Sequence, residues 1–272
     1  MASTRLELDP LLIQIGQVGK RLSDIRAAEG AAGNLSVCLR EQLDVSRIFP
    51  DEQRIELPVP APDLAGATVI VSGAGRRLRD LLDSPTANLA CIVVEPGGQA
   101  GRMFTSPDCQ FQRVTSEFNS HLAVHHDQMH SRDVKLHAII HAQPLHLTYL
   151  SHLTRYQEEG YLNRHLLRWQ PETIYIFPEG MGVLPFMLPG SAQLTGASVP
   201  ALREHRLVIW SQHGVMARAD DSILNAFDLI EYAETAAHYE YLNLSAGSLS
   251  RGLSPEQLRA ISQHWNIDQK IF

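Results

Sequence analysis

Apolar positions along this chain recur at two periods, and the change from one to the other marks the elements. Leu11, Leu12, Ile15, Val18 and Leu22 fall on one helical face; Asp9 as N-cap and Pro10 at the first helical position open that helix, and Gly30 and Gly33 close the segment. Residues 35–39 alternate like a half-buried strand. Residues 41–66 are polar and carry Pro50, Pro58, Pro60 and Pro62, which predicts extended pieces and loops. The β-branched run 68–72 predicts a buried strand. Gly73-Ala-Gly75 then turns the chain into a short basic helix over 76–82. Residues 89–95 and 101–105 read as a hairpin around Gly97-Gly98.

Further on, the spacing predicts a helix over 116–130 and a strand over 134–141, with Pro144 opening the next helix. Residues 173–177 read as a strand that leads into a rigid proline-flanked loop, 178–185. Residues 207–210 and 215–217 form a hairpin around Gln212-His-Gly214. Asp220 or Asp221 caps a long helix that runs to about Leu244 and stops at Gly247. Ser254-Pro-Glu-Gln257 is a capping box for a last helix. Strands and helices alternate without the regular strand–helix–strand period of a doubly wound sheet, and no internal repeat interrupts them.

Composition narrows the class. The 272 residues suffice for one large α/β or α+β domain, or two small ones. A formal charge of −7 argues against a broad nucleic-acid surface, though not against an anionic metabolite. Cys38, Cys91 and Cys109 make no Cys-x-x-Cys pair, which suits a reducing compartment. Arg5, Glu7, Asp9 and Lys20 interrupt the first twenty residues, so no secretory leader is expected. Nor does any stretch reach the roughly 18 apolar residues of a membrane span. The expectation is a soluble, cytoplasmic protein.

Candidate chemistry sits at the edges of these elements. Glu117 stands at a helix start, His141 at a strand end and His213 in a tight turn beside Gly214. Each has an ordinary use alone: a carboxylate facing a helix dipole, a half-buried histidine, a hairpin histidine. Together they make a carboxylate and two imidazoles, a donor set that suits a zinc-like ion better than magnesium. A catalytic metal with an open position can polarise a carbonyl and stabilise an enediolate, which points to a lyase. Thr115 and Ser116 at the helix start, Gly73 and Gly75 with Arg76 in the glycine turn, and Gly33-Asn34 are three places where amides and polar groups can receive an anion.

These segments together resemble the class II aldolase/adducin family, and within it the rhamnulose-1-phosphate aldolases. The resemblance runs from about Gly30 to Gly247. It is carried in order by Gly33-Asn-Leu-Ser36, Val71-Ser-Gly-Ala-Gly75, Pro85-Thr-Ala-Asn-Leu89, Thr115-Ser-Glu117, Ile140-His141, Phe177-Pro-Glu-Gly-Met-Gly-Val-Leu-Pro185, Pro189-Gly190 and His213-Gly-Val215. The 177–185 run is the most specific of these. The resemblance implies a single α/β domain over 1–272, with a central, mainly antiparallel sheet flanked by helices. It implies a homotetramer with sites at subunit interfaces. It also implies one zinc ion per subunit, bound by two histidines from the strand and one from the later hairpin, and a ketose 1-phosphate cleaved to dihydroxyacetone phosphate and L-lactaldehyde. By position, His141 and His213 match zinc ligands and Glu117 the mobile catalytic carboxylate. Glu172 matches an acid/base group supplied by the neighbouring subunit. Thr115, Ser116, Gly33 and Asn34 match parts of the phosphate and carbonyl cradle.

Some positions depart from the family's pattern. The second strand histidine is Gln143 here, leaving Gln143 or His146 as the third protein ligand. Ala31 and Ala74 replace an asparagine and a phosphate-binding serine, and Arg76 replaces a lysine. The rival readings are a sugar-phosphate epimerase or dehydratase on the same scaffold, and an adducin-like assembly module without a metal.

Overall fold

The computed structural model describes residues 7–272. Arg5, one of the charges that argue against a leader, lies outside the described residues. The strands are β1 (Asn34–Leu39), β2 (Asp51–Glu56), β3 (Thr68–Ser72), β4 (Leu89–Val94), β5 (Ala100–Thr105), β6 (Leu136–Ala142), β7 (Gly182–Leu184), β8 (Leu207–Trp210) and β9 (Gly214–Ala219). The helices are α1 (Leu8–Asp24), α2 (Pro85–Asn88), α3 (Phe118–Ser131), α4 (Leu145–Leu150), α5 (Glu159–Leu166), α6 (Glu172–Ile176), α7 (Ala192–Glu204), α8 (Ile223–Ser245) and α9 (Pro255–His264).

All nine strands join one sheet in the order β2-β5-β4-β3-β1-β6-β9-β8-β7. Every pairing is antiparallel except β7 with β8. Helices cover both faces, so the fold is α/β with a mainly antiparallel sheet, as expected. Alternation along β6 shows how the faces divide. Leu136, Ala138, Ile140 and Ala142 enter the larger core with residues of α1 and α8. Ile139 enters the opposite core with Val124 of α3 and Leu194 and Leu202 of α7. His137 and His141 therefore lie on the α3 side.

Several local expectations change. β1 is buried at all six positions and is not half-exposed, because it is central and helices lie over both its faces. α1 begins at Leu8 with Glu7 as its N-cap, while Asp9 lies inside the first turn and pairs with Arg47. The basic helix over 76–82 is a 3-10 turn, Leu78–Leu81, that buries Leu78 and Leu81. Ser222, not Asp220 or Asp221, caps α8: its hydroxyl accepts from Leu224 N. Gly247 follows that helix with φ +84°, the left-handed stop expected of it. The capping box at Ser254 and Gln257 is present.

The largest change is at 173–177, which is helix α6 and not a strand. Thr173, Ile174 and Tyr175 favour extended backbone, but Pro171 enters with helical dihedrals and Thr173 Oγ1 donates to the carbonyls of Leu167 and Gln170. Thr173, Ile174 and Phe177 are buried and Tyr175 is exposed, a helical spacing of burial. Tertiary packing overrides a modest strand preference here.

Candidate metal centre

Four elements converge on the site. β1 and β6 pair with Asn34 opposite His141, β6 and β9 pair with Ala142 opposite Val215, and Glu117 is the N-cap residue of α3. Two glycines permit the approach. Gly33 has φ +78°, and a Cβ there would stand 2.9 Å from His141 O. At Gly214 a Cβ would lie 2.4 Å from Ala142 O and 3.2 Å from His141 Cε1. Only glycine lets the turn holding His213 close onto β6.

The side chains meet as the sequence suggested. Glu117 Oε2 is 3.5 Å from His141 Nε2, and Glu117 Oε1 is 3.5 Å from His213 Nε2. The three offer ligand atoms within 4.8 Å of one another. Glu117 and His141 are buried, and His213 is 11% exposed at its side chain, which leaves an approach from one side. His141 stacks on Trp210, with ring centroids 4.9 Å apart.

Hydrogen bonds define the chemistry of these atoms. His141 Nδ1 lies 2.9 Å from Val215 O, a carbonyl that can only accept. A proton therefore sits on Nδ1, and Nε2 faces Glu117. His213 Nδ1 is buried without a partner, while its Nε2 faces the other oxygen of the same carboxylate. Acceptors gathered this closely in a buried place need a proton or a cation among them. One carboxylate and two imidazoles fit a divalent, zinc-like ion. Burial alone would push the Glu117 carboxyl up. The charge of His141, the hydrogen bond from Asn34 and the charge of His213 outweigh it and hold Glu117 below its ordinary value. Burial and neighbouring His141 push His213 down to about 4, against the pull of Glu117.

Other candidates lie at different distances from this cluster. Asn34 Nδ2 donates to Glu117 Oε2 at 2.9 Å. Gln143 sits alongside: its Cγ is 3.1 Å from the point where a Gly214 Cβ would be. His146 is turned elsewhere. Its Nδ1 is 2.7 Å from Glu234 Oε1, its ring stacks on His238 with centroids 4.0 Å apart, and it is not part of the Glu117–His141–His213 group. Glu172 is the exposed first residue of α6 and is not part of the Glu117–His141–His213 group.

The residues expected to receive an anion are arranged differently from the expectation. α3 begins at Phe118, two residues later than expected. The Thr115 amide donates to Ser72 O, and the Gly73 amide to Asn88 O, so neither is free for an anion. Gly75 has φ +70° and is exposed. Arg76 reaches Asn88 Oδ1 at 2.7 Å through Nε and Gln110 Oε1 at 2.6 Å through a terminal nitrogen. Ser116 is exposed and lines a cavity of about 570 Å³ with Thr115, Asn119, Arg113 and Gly190. Arg113 was not singled out from sequence. Nor were Ser36, His121 and His125, which are fully buried behind Glu117; the four-residue spacing 117, 121, 125 was the available signal.

Comparison with known proteins agrees with this geometry. The model of the class II aldolase and adducin N-terminal domain matches residues 13–241. A rhamnulose-1-phosphate aldolase of Listeria monocytogenes is 28% identical over 250 residues, covering 89% of this chain and 88% of that protein. One from Yersinia pestis is 29% identical over 242 residues, covering 88% and 87%. The crystal structure of a sugar-phosphate aldolase from Thermotoga maritima superposes with a TM-score of 0.75 at 27% identity, covering 88% of this chain and 97% of that one. With the family's domain matched across most of its length, and a carboxylate and two histidines gathered on one sheet face, this chain belongs to the class II aldolase/adducin family.

Proposed function

We propose that the protein is a metal-dependent aldolase that cleaves a ketose 1-phosphate of the L-rhamnulose type to dihydroxyacetone phosphate and L-lactaldehyde. The observation that carries this reading is the Glu117 carboxylate set 3.5 Å from both His141 Nε2 and His213 Nε2 in a buried cluster. A zinc-like ion held by the two Nε2 atoms, with Gln143 as the candidate third protein donor, would supply Lewis-acid stabilisation of negative charge on the substrate. The names of the Listeria and Yersinia relatives favour the rhamnulose substrate over other ketose phosphates.

The chain's own groups would do the rest. Cleavage removes the proton of the C4 hydroxyl and leaves C4 as the aldehyde carbonyl. The C3–C4 electron pair stays on C3, which then takes a proton. Glu117, buried and held ionised, is the group we assign to the proton at C3. Glu172 of a neighbouring subunit is assigned to the C4 oxygen; its exposure on α6 is compatible with reaching across a contact. Gly33, Asn34, Ser116 and the Thr115 hydroxyl, with Gly75 and Arg76 of the glycine turn, would position the carbonyl and phosphate ends. Incubation with L-rhamnulose 1-phosphate and related ketose 1-phosphates, with release of dihydroxyacetone phosphate measured with and without a chelator, tests the reading. Release should be chelator-sensitive and fastest with the rhamnulose ester. No release with any ester from metal-loaded protein would refute it.

A further inference from the structure

Behind Glu117 and Asn34 runs a row of buried polar groups that the proposed reaction does not use. Glu117, His121 and His125 stand four residues apart at the start of α3 and share one stripe of it. Beneath them, Asn34 and Ser36 of β1 and His137 of β6 lie on the same face of the sheet. Four helical residues rise about 6 Å and two strand residues about 6.7 Å, so each step along the helix meets a step along the strand.

The contacts form an unbroken run. Asn34 Nδ2 donates to Glu117 Oε2 at 2.9 Å, and Asn34 Oδ1 lies 2.6 Å from His121 Nε2. Ser36 Oγ is 2.7 Å from both His121 Nδ1 and His125 Nε2. His125 Nδ1 is 2.7 Å from His137 Nδ1. Ser36 and the three histidines are fully buried.

One end sets the direction of every bond. The Glu117 carboxylate only accepts, so Asn34 presents N–H to it and its carbonyl oxygen to His121. His121 must then carry its proton on Nε2, leaving Nδ1 to accept from the Ser36 hydroxyl. With its one proton so used, Ser36 accepts from His125 Nε2–H. His125 Nδ1 accepts in turn from His137 Nδ1–H. This leaves a lone pair on His137 Nε2, the one atom of the run without a hydrogen-bond partner. It lies 3.9 Å from Asp220 Oδ1, which Arg218 holds at 3.1 Å, while Arg132 holds Asp220 Oδ2 at 2.8 Å. Two guanidinium groups against one carboxylate make a surround in which a lone pair is better placed than a proton. Burial first, with Arg218 and Arg132 behind it, pushes His137 down to about 3. Burial likewise pushes His121 to about 3 and His125 well below its ordinary value, so all three remain neutral.

We propose that Ser36, His121, His125 and His137 form a one-way hydrogen-bond relay that holds the Asn34 amide with its N–H toward Glu117, making them positioning residues for the proton chemistry at Glu117. The role of Glu117 rests on the function proposed above; the direction of the relay does not. An amide passes no proton, so the relay orients Glu117 and conducts nothing to it. Without the relay, Asn34 is free to turn its carbonyl toward the carboxylate, and two acceptors would then face each other.

Two measurements on metal-loaded protein test this. Nitrogen-15 spectra of histidine-labelled protein distinguish the neutral tautomers, with signals assigned by single substitutions. The relay requires Nε2–H at His121 and His125 and Nδ1–H at His137; the opposite set, or an even mixture, overturns it whether or not the protein is an aldolase. Kinetics then test positioning. Gln can present an N–H near the position of Nε2, whereas Leu cannot. His121→Leu should lower kcat for dihydroxyacetone phosphate release about 10–100-fold with KM little changed, and His121→Gln should recover most of it. Equal kcat in the two variants and wild type, with the expected tautomers, would leave a relay that positions nothing and so overturn the catalytic half of the proposal. Failure of wild-type protein to cleave any ketose 1-phosphate would refute the proposed reaction, and with it the positioning role, while the spectra still decide the direction.

Discussion

At the scale of single residues, protonation and donor strength decide what the site can do. Glu117 is ionised and buried, with an amide on one oxygen and an imidazole near each. Glu117→Gln keeps the shape and removes the basicity. Turnover is expected to fall about 10²–10⁴-fold, the range for a positioned acid or base, while His141 and His213 retain the metal by elemental analysis. Wild-type turnover in that variant would reduce Glu117 to a helix-start carboxylate. Gln143 poses a question of affinity. An amide oxygen is a weaker donor than imidazole to zinc-like ions. Gln143→His should therefore tighten zinc binding, read by competition with a chelator. His146→Ala should leave it unchanged, because Glu234 and His238 already occupy the His146 ring. No gain in the first variant with loss of zinc in the second would reverse the assignment.

At the scale of elements, the packing of α3 on the sheet is where stability and site meet. His121, His125 and His137 stay neutral in the fold but take protons near 6.5 once exposed. Below that pH, and down to about 3 for His121 and His137, the unfolded chain binds more protons than the folded one. Stability therefore rises with pH through this window and is lost as pH falls. The limiting slope is about 1.4 kcal/mol per pH unit for each histidine, or about 4 for three. Urea unfolding at about pH 7 and about pH 5 should show it, and His125→Asn should make the slope shallower by about 1.4 kcal/mol per pH unit. An unchanged slope in that variant would mean His125 is protonated in the fold. Elements differ in how plainly the sequence announced them. β3, the β4–β5 hairpin and the β8–β9 hairpin stand close to their expected bounds, since β-branched runs between glycine turns have few alternatives. α6 escaped because its five residues are too few for periodicity to separate helix from strand.

At the scale of the whole molecule, one sheet brings residues from distant parts of the chain to one face, and Glu172 remains outside that gathering. We expect a homotetramer in which Glu172 completes the neighbour's site. Mixing Glu117→Gln with Glu172→Gln tests this, since hybrid tetramers would hold some interfaces with both residues intact and regain part of the activity. No complementation in hybrids proven by mass spectrometry would place both residues in one subunit's site. Each reads something the single chain does not contain. Among the described residues no helix is long and apolar enough to cross a membrane. Cys38, Cys91 and Cys109 are free thiols, and burial raises the first two.

The sequence by itself determined the family pattern, the α/β class and the three groups of the candidate metal centre. Glu117, His141 and His213 each stand at the edge of an element, beside turn residues and polar neighbours that are legible in the sequence, and motif order carried the rest. Tertiary structure alone decided what lies behind them. Ser36, His121 and His125 look like ordinary polar positions until β1 is paired centrally and α3 is laid over it, because burial depends on neighbours far away in the chain. The fold also surrounds the two candidates differently: Gln143 directly follows β6 with its side chain against Gly214, whereas His146 lies past Pro144 on a helix that turns it toward Glu234. Hydrogen-bond direction was likewise out of reach, since a histidine's tautomer follows from the partner on its other nitrogen, and only the folded chain supplies that partner.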